Sequence, residues 1–137
     1  MGEWANLLRF RPAGSMEGIG ELVPLELERD IPFPVRRLYT ITGLPAGERR
    51  GCHAHLKTRQ VIFCLRGKAS VLLERGGSTE ESLLEGPETG LLLEPMVWHE
   101  VTCLEEGCVL LVLASLPYDE TDYVRDRAAF LALERGG

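Results

Sequence analysis

The chain has 137 residues, of which 45% are hydrophobic and 26% are charged, as is typical of one globular domain with its own core. Its net charge of −6 argues against a general nucleic-acid binder. The longest apolar run, Cys108 to Ala114, is too short to cross a bilayer, and the first ten residues lack the features of a signal peptide. We therefore expect one cytoplasmic domain that binds neither nucleic acid nor a membrane.

Short apolar runs broken by glycine, proline and acidic turns occupy the chain between Glu21 and Ser115. The predicted strands cover residues 21–27, 35–42, 51–56, 60–66, 68–74, 81–85, 89–95, 99–105 and 108–115. Turn sequences such as Gly86-Pro87 separate them. Many short strands with a turn about every 8–12 residues indicate a β-sandwich or barrel.

The hydrophobic period changes after Thr121, where apolar residues begin to recur at helical spacing. Thr121 is a suitable N-cap, Asp122 suits the positive end of a helix, and Gly136 can end it. The sequence thus predicts an all-β domain with a short C-terminal helix. Residues 1–14 are assigned to an N-terminal extension and residues 15–137 to the single domain.

The cysteines show no CxxC pair and no zinc-like spacing. They are Cys52, Cys64, Cys103 and Cys108. Two of them, Cys64 and Cys108, lie in apolar runs and are predicted to be small buried side chains. In a cytoplasmic protein, the cysteines are expected to be free thiols.

Two of the three histidines, His53 and His55, lie two residues apart on a predicted strand, which places both imidazoles on one face. From Arg49 to Lys68 the chain carries six basic residues and no acidic one. Such a segment is either a solvated strand edge or a local positive field for a small anionic ligand. Its overlap with the two histidines favours the ligand.

The spacing around this pair resembles the first cupin motif. The matching residues are Gly47, His53, His55, Gln60 and Gly67. That motif normally has a glutamate at the position of Gln60. His99, four residues after Pro95, resembles the histidine of the second cupin motif. The resemblance implies a small jelly-roll barrel whose open mouth holds the ligand.

The histidine pair has three interpretations: a metal site, a structural pair, or an acid–base pair. Two histidines and an acid commonly bind non-haem iron, but Gln60 is a neutral, poor ligand and the nearby basic residues would repel a dication. His99 could still complete a three-histidine site, so the metal alternative stays open. Imidazole has an ordinary pKa of about 6.5, and neighbouring positive charge keeps it neutral and basic. The residues therefore favour proton transfer of the keto–enol kind, without a metal or other cofactor.

Four stretches resemble a narrower family, the cupin-type dTDP-sugar 3,4-ketoisomerases, which are WxcM-like. They are IPFPVRRLYTI (31–41), RRGCHAHLKTRQVIFCLRG (49–67), PMVWHEV (95–101) and VLLVLASLPYDETDYVRD (109–126). The resemblance implies a metal-free isomerase that moves the keto group of dTDP-4-keto-6-deoxyglucose from C4 to C3 through an enediol. It also implies a homodimer that serves deoxysugar and polysaccharide biosynthesis.

The family motif implies catalytic roles for His53, His55 and Tyr39. By this resemblance His53 removes the C3 proton, His55 assists delivery at C4, and Tyr39 donates a hydrogen bond or proton to the sugar. Arg50 would hold the enediolate or the diphosphate through its guanidinium. In a flat strand Arg50 would point away from His53, so this role requires a bulge or turn at Gly51. The other expected substrate contacts are Arg37, Arg59, Trp98 and His99.

The chain departs from the family near its N-terminus, where SMEGIGEL (15–22) lacks an arginine, and at Cys52, which replaces an aromatic residue. Three alternatives remain. An epimerase of the same fold would use a His–Asp dyad, and no acidic residue is evident beside His53 or His55. A metal-dependent dioxygenase would need an acid at position 60. A non-catalytic cupin would bind the sugar nucleotide in the same pocket as a sensor.

Overall fold

The computed structural model describes residues 4–13 and 20–136. These residues form eight strands and two α-helices: β1 (Ala5–Arg9), α1 (Leu27–Asp30), β2 (Arg37–Leu44), β3 (Arg49–His55), β4 (Gln60–Arg75), β5 (Ser78–Leu93), β6 (Trp98–Cys103), β7 (Cys108–Ala114), β8 (Tyr123–Val124) and α2 (Arg127–Gly136). A 3-10 turn, Glu120–Asp122, precedes β8. No helix among the described residues has the length and hydropathy needed to cross a bilayer.

Every strand pair in the described residues is antiparallel, and the long β4–β5 hairpin belongs to both halves of a jelly-roll barrel. The first part of β4 pairs with β7 and the second part pairs with β6. Gly67, at the change of partner, has a φ of +81°, a conformation that glycine adopts without strain. One half thus runs β1-β5-β4-β7-β2 and the other β5-β4-β6-β3-β8. The predicted all-β barrel with a short C-terminal helix is confirmed.

The apolar runs of the sequence fill two layers, because side chains alternate between the faces of a strand. In β4, Ile62 faces the barrel interior, whereas Val61 and Phe63 face outward. The outward pair is covered by Ile31 and Phe33, which follow or adjoin α1. Both faces of this strand are therefore buried, which explains its continuous apolar sequence.

Helix α2 packs against the outside of the barrel through Phe130, whose ring centroid lies 5.7 Å from that of Trp98. An ion pair between Arg127 and Glu74 also holds the helix, with Nε 2.9 Å from Oε2. The predicted N-cap at Thr121 is wrong: the helix begins at Arg127, and Asp126 accepts a hydrogen bond from the Ala129 amide at 3.2 Å. The short strand β8 comes between the predicted start and the actual one.

Several predicted strand boundaries differ from the structure. No strand covers 21–27, since Pro24 cannot donate a ladder hydrogen bond and Leu25 instead packs against the outward-facing layer. The strands predicted at 60–66 and 68–74 are one bent strand, β4. In the predicted N-terminal extension, β1 pairs with β5. The predicted boundary between residues 14 and 15 lies outside the described residues.

The expectation of free thiols is wrong for two of the cysteines. Cys103 and Cys108 form a disulfide with their Cα atoms 5.9 Å apart. They end β6 and begin β7, so the intervening turn brings them face to face. Cys52, which is exposed, and Cys64, which is buried, are free thiols as predicted.

Candidate active site

A cavity of about 470 Å³ opens at the mouth of the barrel between β2, β3 and the segment 118–125. Its polar and aromatic lining comprises Arg37, Tyr39, Arg49, Arg50, His53, Tyr118, Tyr123 and Arg125. Four arginines and no acidic side chain lie among the described lining residues. Arg49 and Arg125 are ion-paired with carboxylates outside this lining, Glu100 and Glu120. Arg37 and Arg50 have no ion-pair partner among the described residues, so they supply the positive charge of a concave site of a size suited to a small anion.

A bulge in β3 brings Arg50 and His53 into this cavity together. Arg50 pairs with Val101 and His53 with His99, so β3 has one more residue than β6 between the two pairs. Gly51, within the bulge, has a φ of +67°. The bulge that the role of Arg50 requires is thus present at the predicted glycine.

The two histidines of β3 contact each other through their ring nitrogens. His53 Nε2 lies 3.2 Å from His55 Nε2, and both side chains are buried. The other nitrogen of His53, Nδ1, is buried and has no hydrogen-bond partner among the described residues. His53 is therefore connected to His55 on one side and has a free nitrogen on the other.

Asp122 completes this arrangement from the C-terminal segment. Its Oδ2 lies 3.0 Å from His55 Nδ1, and its Oδ1 accepts a hydrogen bond from the Lys57 amide at 2.7 Å. The Thr58 hydroxyl also donates to Oδ2. Burial favours a higher pKa for Asp122, but the hydrogen bonds from Thr58, Lys57 and His55 outweigh it and hold the pKa below its ordinary value.

The sequence-based expectation that no acidic residue lies beside the histidines is therefore wrong. Asp122 reaches His55 because β8 pairs with β3, with Tyr123 opposite His55. The stretch YDETDY contained the signal, but the helical interpretation assigned Asp122 to the start of a helix. The structure places it next to the histidine pair instead.

A second, small cavity of about 20 Å³ shares Tyr39, Arg50 and His53 with the first and is here called its inner end. His99 and Gln60 also line it. The Tyr39 hydroxyl accepts a hydrogen bond from Gln60 Nε2 at 3.3 Å, and burial raises the pKa of Tyr39. The His99 ring centroid lies 4.6 Å from that of His53. These candidates share one site with the histidine pair.

Arg37 reaches the cavity between two aromatic rings. Its guanidinium carbon lies 4.4 Å from the ring centroid of Tyr39 and 5.0 Å from that of Tyr118. It also donates a hydrogen bond to the Tyr123 hydroxyl at 3.2 Å. Arg125 lies over the Tyr123 ring at 4.2 Å. Sequence reasoning missed Tyr118, Tyr123 and Arg125 because their place depends on the path of the C-terminal segment.

Two predicted substrate contacts do not lie in the cavity. Trp98 is buried against Phe130, and its indole N–H donates to Glu100 at 2.9 Å. Arg59 is ion-paired with Glu94 at 2.5 Å. Both side chains have structural partners away from the histidines, so the structure does not support their predicted contact with substrate.

Comparison with known proteins identifies the family of this site. The family model described as FdtA: WxcM-like, C-terminal, matches residues 5–135. The chain belongs to the FdtA family. The family resemblance inferred from the histidine and YDETDY stretches is thereby confirmed.

Relatives of this FdtA family chain include characterised sugar-nucleotide enzymes. It is 45% identical over 106 residues to TDP-4-oxo-6-deoxy-alpha-D-glucose-3,4-oxoisomerase of Aneurinibacillus thermoaerophilus, covering 77% of this chain and 76% of the relative. Among solved structures, this chain is similar to the 3,4-ketoisomerase QdtA from Thermoanaerobacterium thermosaccharolyticum, with 37% identity and a TM-score of 0.92. That structure is a histidine-to-asparagine mutant in complex with TDP-4-keto-6-deoxyglucose. That match covers 99% of this chain and 97% of QdtA. The rmlC epimerase of Mycobacterium tuberculosis shares the fold alone, with 16% identity and a TM-score of 0.73. That match covers 87% of this chain and 66% of the epimerase.

The donor set of this FdtA family chain does not fit a metal centre. Among residues 4–13 and 20–136, no three or more His, Cys, Asp or Glu side chains are arranged to hold a metal ion. Gln60 donates its amide to Tyr39, and both ring nitrogens of His55 are engaged by His53 and Asp122. A metal would have to replace the contact between the two histidine rings and the hydrogen bond from Gln60 to Tyr39, and Gln60 would offer it only a neutral oxygen.

The buried histidines of this FdtA family chain make its stability sensitive to acid. Burial is the main cause that lowers the pKa of His53 to about 2 and that of His99 to about 4. Burial also lowers the pKa of His55, although Asp122 opposes it. These groups stay neutral in the folded chain at a pH where the unfolded chain, with an ordinary histidine pKa of 6.5, already binds protons. The contribution of these neutral histidines to the free energy of unfolding is thus fully present above about pH 6.5 and is lost as the pH falls below that value.

We expect the free energy of unfolding to decrease by up to about 1.4 kcal/mol per pH unit for each neutral buried histidine once the pH is well below 6.5. For His99 this loss continues down to about pH 4, and for His53 to about pH 2. Urea unfolding at about pH 7.5, 6.5 and 5.5 measures it, in a range where ordinary carboxylates stay ionised. A constant free energy of unfolding over this range would contradict the prediction.

Proposed function

We propose that this chain is a sugar-nucleotide 3,4-ketoisomerase that converts dTDP-4-keto-6-deoxyglucose to a dTDP-3-keto-6-deoxyhexose by enediol proton transfer, without a metal. The observation that carries the proposal is His53, a residue of the arginine-lined cavity whose Nδ1 is buried and has no partner among the described residues. The ketoisomerase relatives supply the reaction class. The site supplies the base and the positive field that this reaction needs.

Two arginines of the cavity, Arg50 and Arg125, bind the diphosphate. Arg125 exchanges its ion pair with Glu120, in which Nε lies 2.6 Å from Oε1, for the phosphate. After burial and the two neighbouring histidines, the charges of Arg125 and Arg50 also lower the pKa of His53, so both guanidinium groups lie near its ring. Guanidinium groups bind phosphate oxygens through paired N–H donors. Diphosphate placed beside Arg50 and Arg125 would place the attached sugar near His53.

The proton transfers balance without an oxidant or reductant. His53 Nδ1 takes the proton from C3, the C3–H electron pair forms the C3–C4 double bond, and the carbonyl electrons move onto O4. A proton then passes from O3 to O4, the carbonyl forms at C3, and the double-bond electrons take up at C4 the proton that His53 holds. The net change moves one hydrogen from C3 to C4 and one from O3 to O4.

Substrate binding adjusts the basicity of His53. In the free site, burial, the neighbouring His99 and His55, and then Arg125 and Arg50 lower the pKa of His53 to about 2. A bound diphosphate offsets the charge of both arginines and so raises this pKa, but burial, the largest cause, remains and keeps the pKa of His53 below its ordinary value. The base is therefore somewhat stronger when the sugar is in place, and its low pKa in the free site keeps it unprotonated at neutral pH.

Tyr39 and Arg50 stabilise the enediolate. Tyr39 keeps its proton because burial raises its pKa, so its hydroxyl can donate a hydrogen bond to the developing oxyanion. Arg50 lines the same inner end of the cavity as Tyr39 and His53. His55 contacts the sugar only through His53, because both of its ring nitrogens are engaged.

The epimerase alternative gains one observation, the His55–Asp122 pair, since a His–Asp dyad was expected of it. The comparisons favour the isomerase: relatives at 37–45% identity are 3,4-ketoisomerases, whereas the epimerase shares only the fold. The expected cytoplasmic homodimer that serves deoxysugar and polysaccharide biosynthesis belongs to this proposal and rests on the family resemblance.

Proton NMR of dTDP-4-keto-6-deoxyglucose incubated with EDTA-treated enzyme in D₂O tests the proposal. We expect a 3-keto product with deuterium at the exchanging carbon, and the coupling constants at C4 give its configuration. Turnover that appears only after iron or zinc is restored would overturn the metal-free mechanism. Exchange at C3 and C5 with epimerised product would support the epimerase, and binding without exchange would support the sensor.

A further inference from the structure

A buried carboxylate lies behind the histidine pair, outside the cavity lining. Asp122 contacts His55, and His55 contacts His53, so the three side chains form a continuous row that ends at the free nitrogen of His53. We propose that Asp122 is a positioning residue that fixes the protons of the histidine pair, so that His53 always presents a lone pair at Nδ1. The inference rests on the proposed ketoisomerase function and adds the residue that orients its base.

The hydrogen bonds to Asp122 determine its protonation state. The Lys57 amide lies 2.7 Å from Oδ1, and an amide N–H can only donate. The Thr58 amide lies 3.3 Å from Oδ2, and the Thr58 hydroxyl donates to the same oxygen. Both carboxylate oxygens accept hydrogen bonds, so Asp122 is ionised. His55 must then donate to it from Nδ1.

The proton positions of both histidines follow from this donor. With its proton on Nδ1, neutral His55 has a lone pair on Nε2. The two Nε2 atoms are 3.2 Å apart, so one of them carries the hydrogen between them, and that one is on His53. Neutral His53 then has its lone pair on Nδ1, the atom that is buried without a described partner. The row of contacts thus makes His53 Nδ1 an acceptor.

Replacing the Asp122 carboxylate by an amide is expected to reverse the direction of each hydrogen bond between Asp122, His55 and His53. In Asp122→Asn, the carbonyl keeps the shorter hydrogen bond from the Lys57 amide (2.7 Å). The side-chain N–H₂ then takes the place of Oδ2, loses the longer hydrogen bond from the Thr58 amide (3.3 Å) and donates to His55 Nδ1. His55 then carries its proton on Nε2 and donates to His53 Nε2. His53 must hold its own proton on Nδ1, which then carries an N–H instead of a lone pair. The base is still in place but cannot accept the C3 proton.

Nuclear magnetic resonance can observe these protons directly, because the chain has three histidines. Long-range ¹H–¹⁵N correlation spectra of tag-free, histidine-labelled protein at neutral pH distinguish the Nδ1–H and Nε2–H forms. We expect His55 in the Nδ1–H form and His53 in the Nε2–H form. His99, whose Nδ1 lies 3.2 Å from the Val97 carbonyl, is also expected as Nδ1–H. The wild-type spectrum tests the proposal even if a variant fails to fold.

The kinetic experiment compares Asp122→Asn with Thr58→Val. Asp122→Asn should lower kcat by about 10²–10⁴-fold, the range of a lost general base, with KM changed by less than about threefold. Its spectrum should show His53 converted to the Nδ1–H form. Thr58→Val removes one hydrogen bond to the same oxygen but leaves the carboxylate, so both tautomers and kcat, within about tenfold, should be kept.

Two results would overturn the proposal: His53 in the Nδ1–H form in the wild-type protein, or an Asp122→Asn variant with unchanged tautomers and unchanged kcat. Equal losses of kcat in both variants would assign Asp122 a structural role and overturn it as well. A wild-type enzyme that does not isomerise the dTDP-sugar would refute the proposed function instead, and the tautomer spectra would then still report on the proton arrangement.

Discussion

Replacing His53 with asparagine is expected to lower kcat by at least about 10³-fold, because general acid–base groups contribute up to about 10⁴-fold and the buried Nδ1 of His53 has no partner among the described residues. Asparagine keeps a polar side chain of similar reach but has no atom that accepts a proton at neutral pH. The loss should appear equally in deuterium exchange at C3, because the first proton transfer itself is removed. Proton NMR in D₂O measures exchange and product formation in one experiment.

Cys52→Ala is the matched control for this substitution. Cys52 is the neighbour of His53 on β3 and also lines the cavity, but its thiol is exposed and makes no hydrogen bond to the described residues. We expect its kcat within about threefold of wild type, since surface substitutions of this kind have small effects. Exchange at C3 that survives in His53→Asn would show that another group is the base. Thermal unfolding of both variants establishes that the fold is retained.

The histidine pair and its bulge could be predicted from the sequence because they are local. His53 and His55 belong to one strand, so their spacing alone places them on a common face. Gly51 offers the backbone freedom that a bulge needs, and the structure places the bulge there. Strand periodicity also bears on Trp98 and His99: they are adjacent in β6, so their side chains point to opposite faces of the strand.

The rest of the site depends on contacts between distant parts of the chain. Asp122 and Tyr123 reach the histidines only because the two-residue strand β8 pairs with β3. A strand of that length has no detectable period in the sequence, and the helical pattern that follows it extended over Asp122 in the prediction. Likewise, the sequence predicts a strand break at Gly67. In the structure, the positive φ of Gly67 bends β4, and the strand continues with a new partner.

The second large effect concerns Arg49 and Arg50, which are neighbours in β3. Because of the bulge, their side chains lie in different environments. Arg49 Nη1 lies 2.8 Å from Glu100 Oε1, so its charge is already paired. Arg50 has no ion-pair partner among the described residues and lies at the inner end of the cavity beside His53 and Tyr39. The guanidinium available for phosphate or the enediolate is therefore that of Arg50.

Replacing Arg50 with glutamine should raise KM about 10- to 150-fold, because a hydrogen bond to a charged group contributes about 1.5–3 kcal/mol. The salt dependence of kcat/KM should weaken as well, since one charge that attracts the diphosphate is lost. Arg49→Gln is the matched control, with KM changed by less than about threefold because an exposed ion pair contributes little. Steady-state kinetics with the dTDP-sugar at low and high salt decide between the two. A larger effect at Arg49 than at Arg50 would mean that the diphosphate lies near Glu100, at the outer face of β6, and not at the histidine end of the cavity.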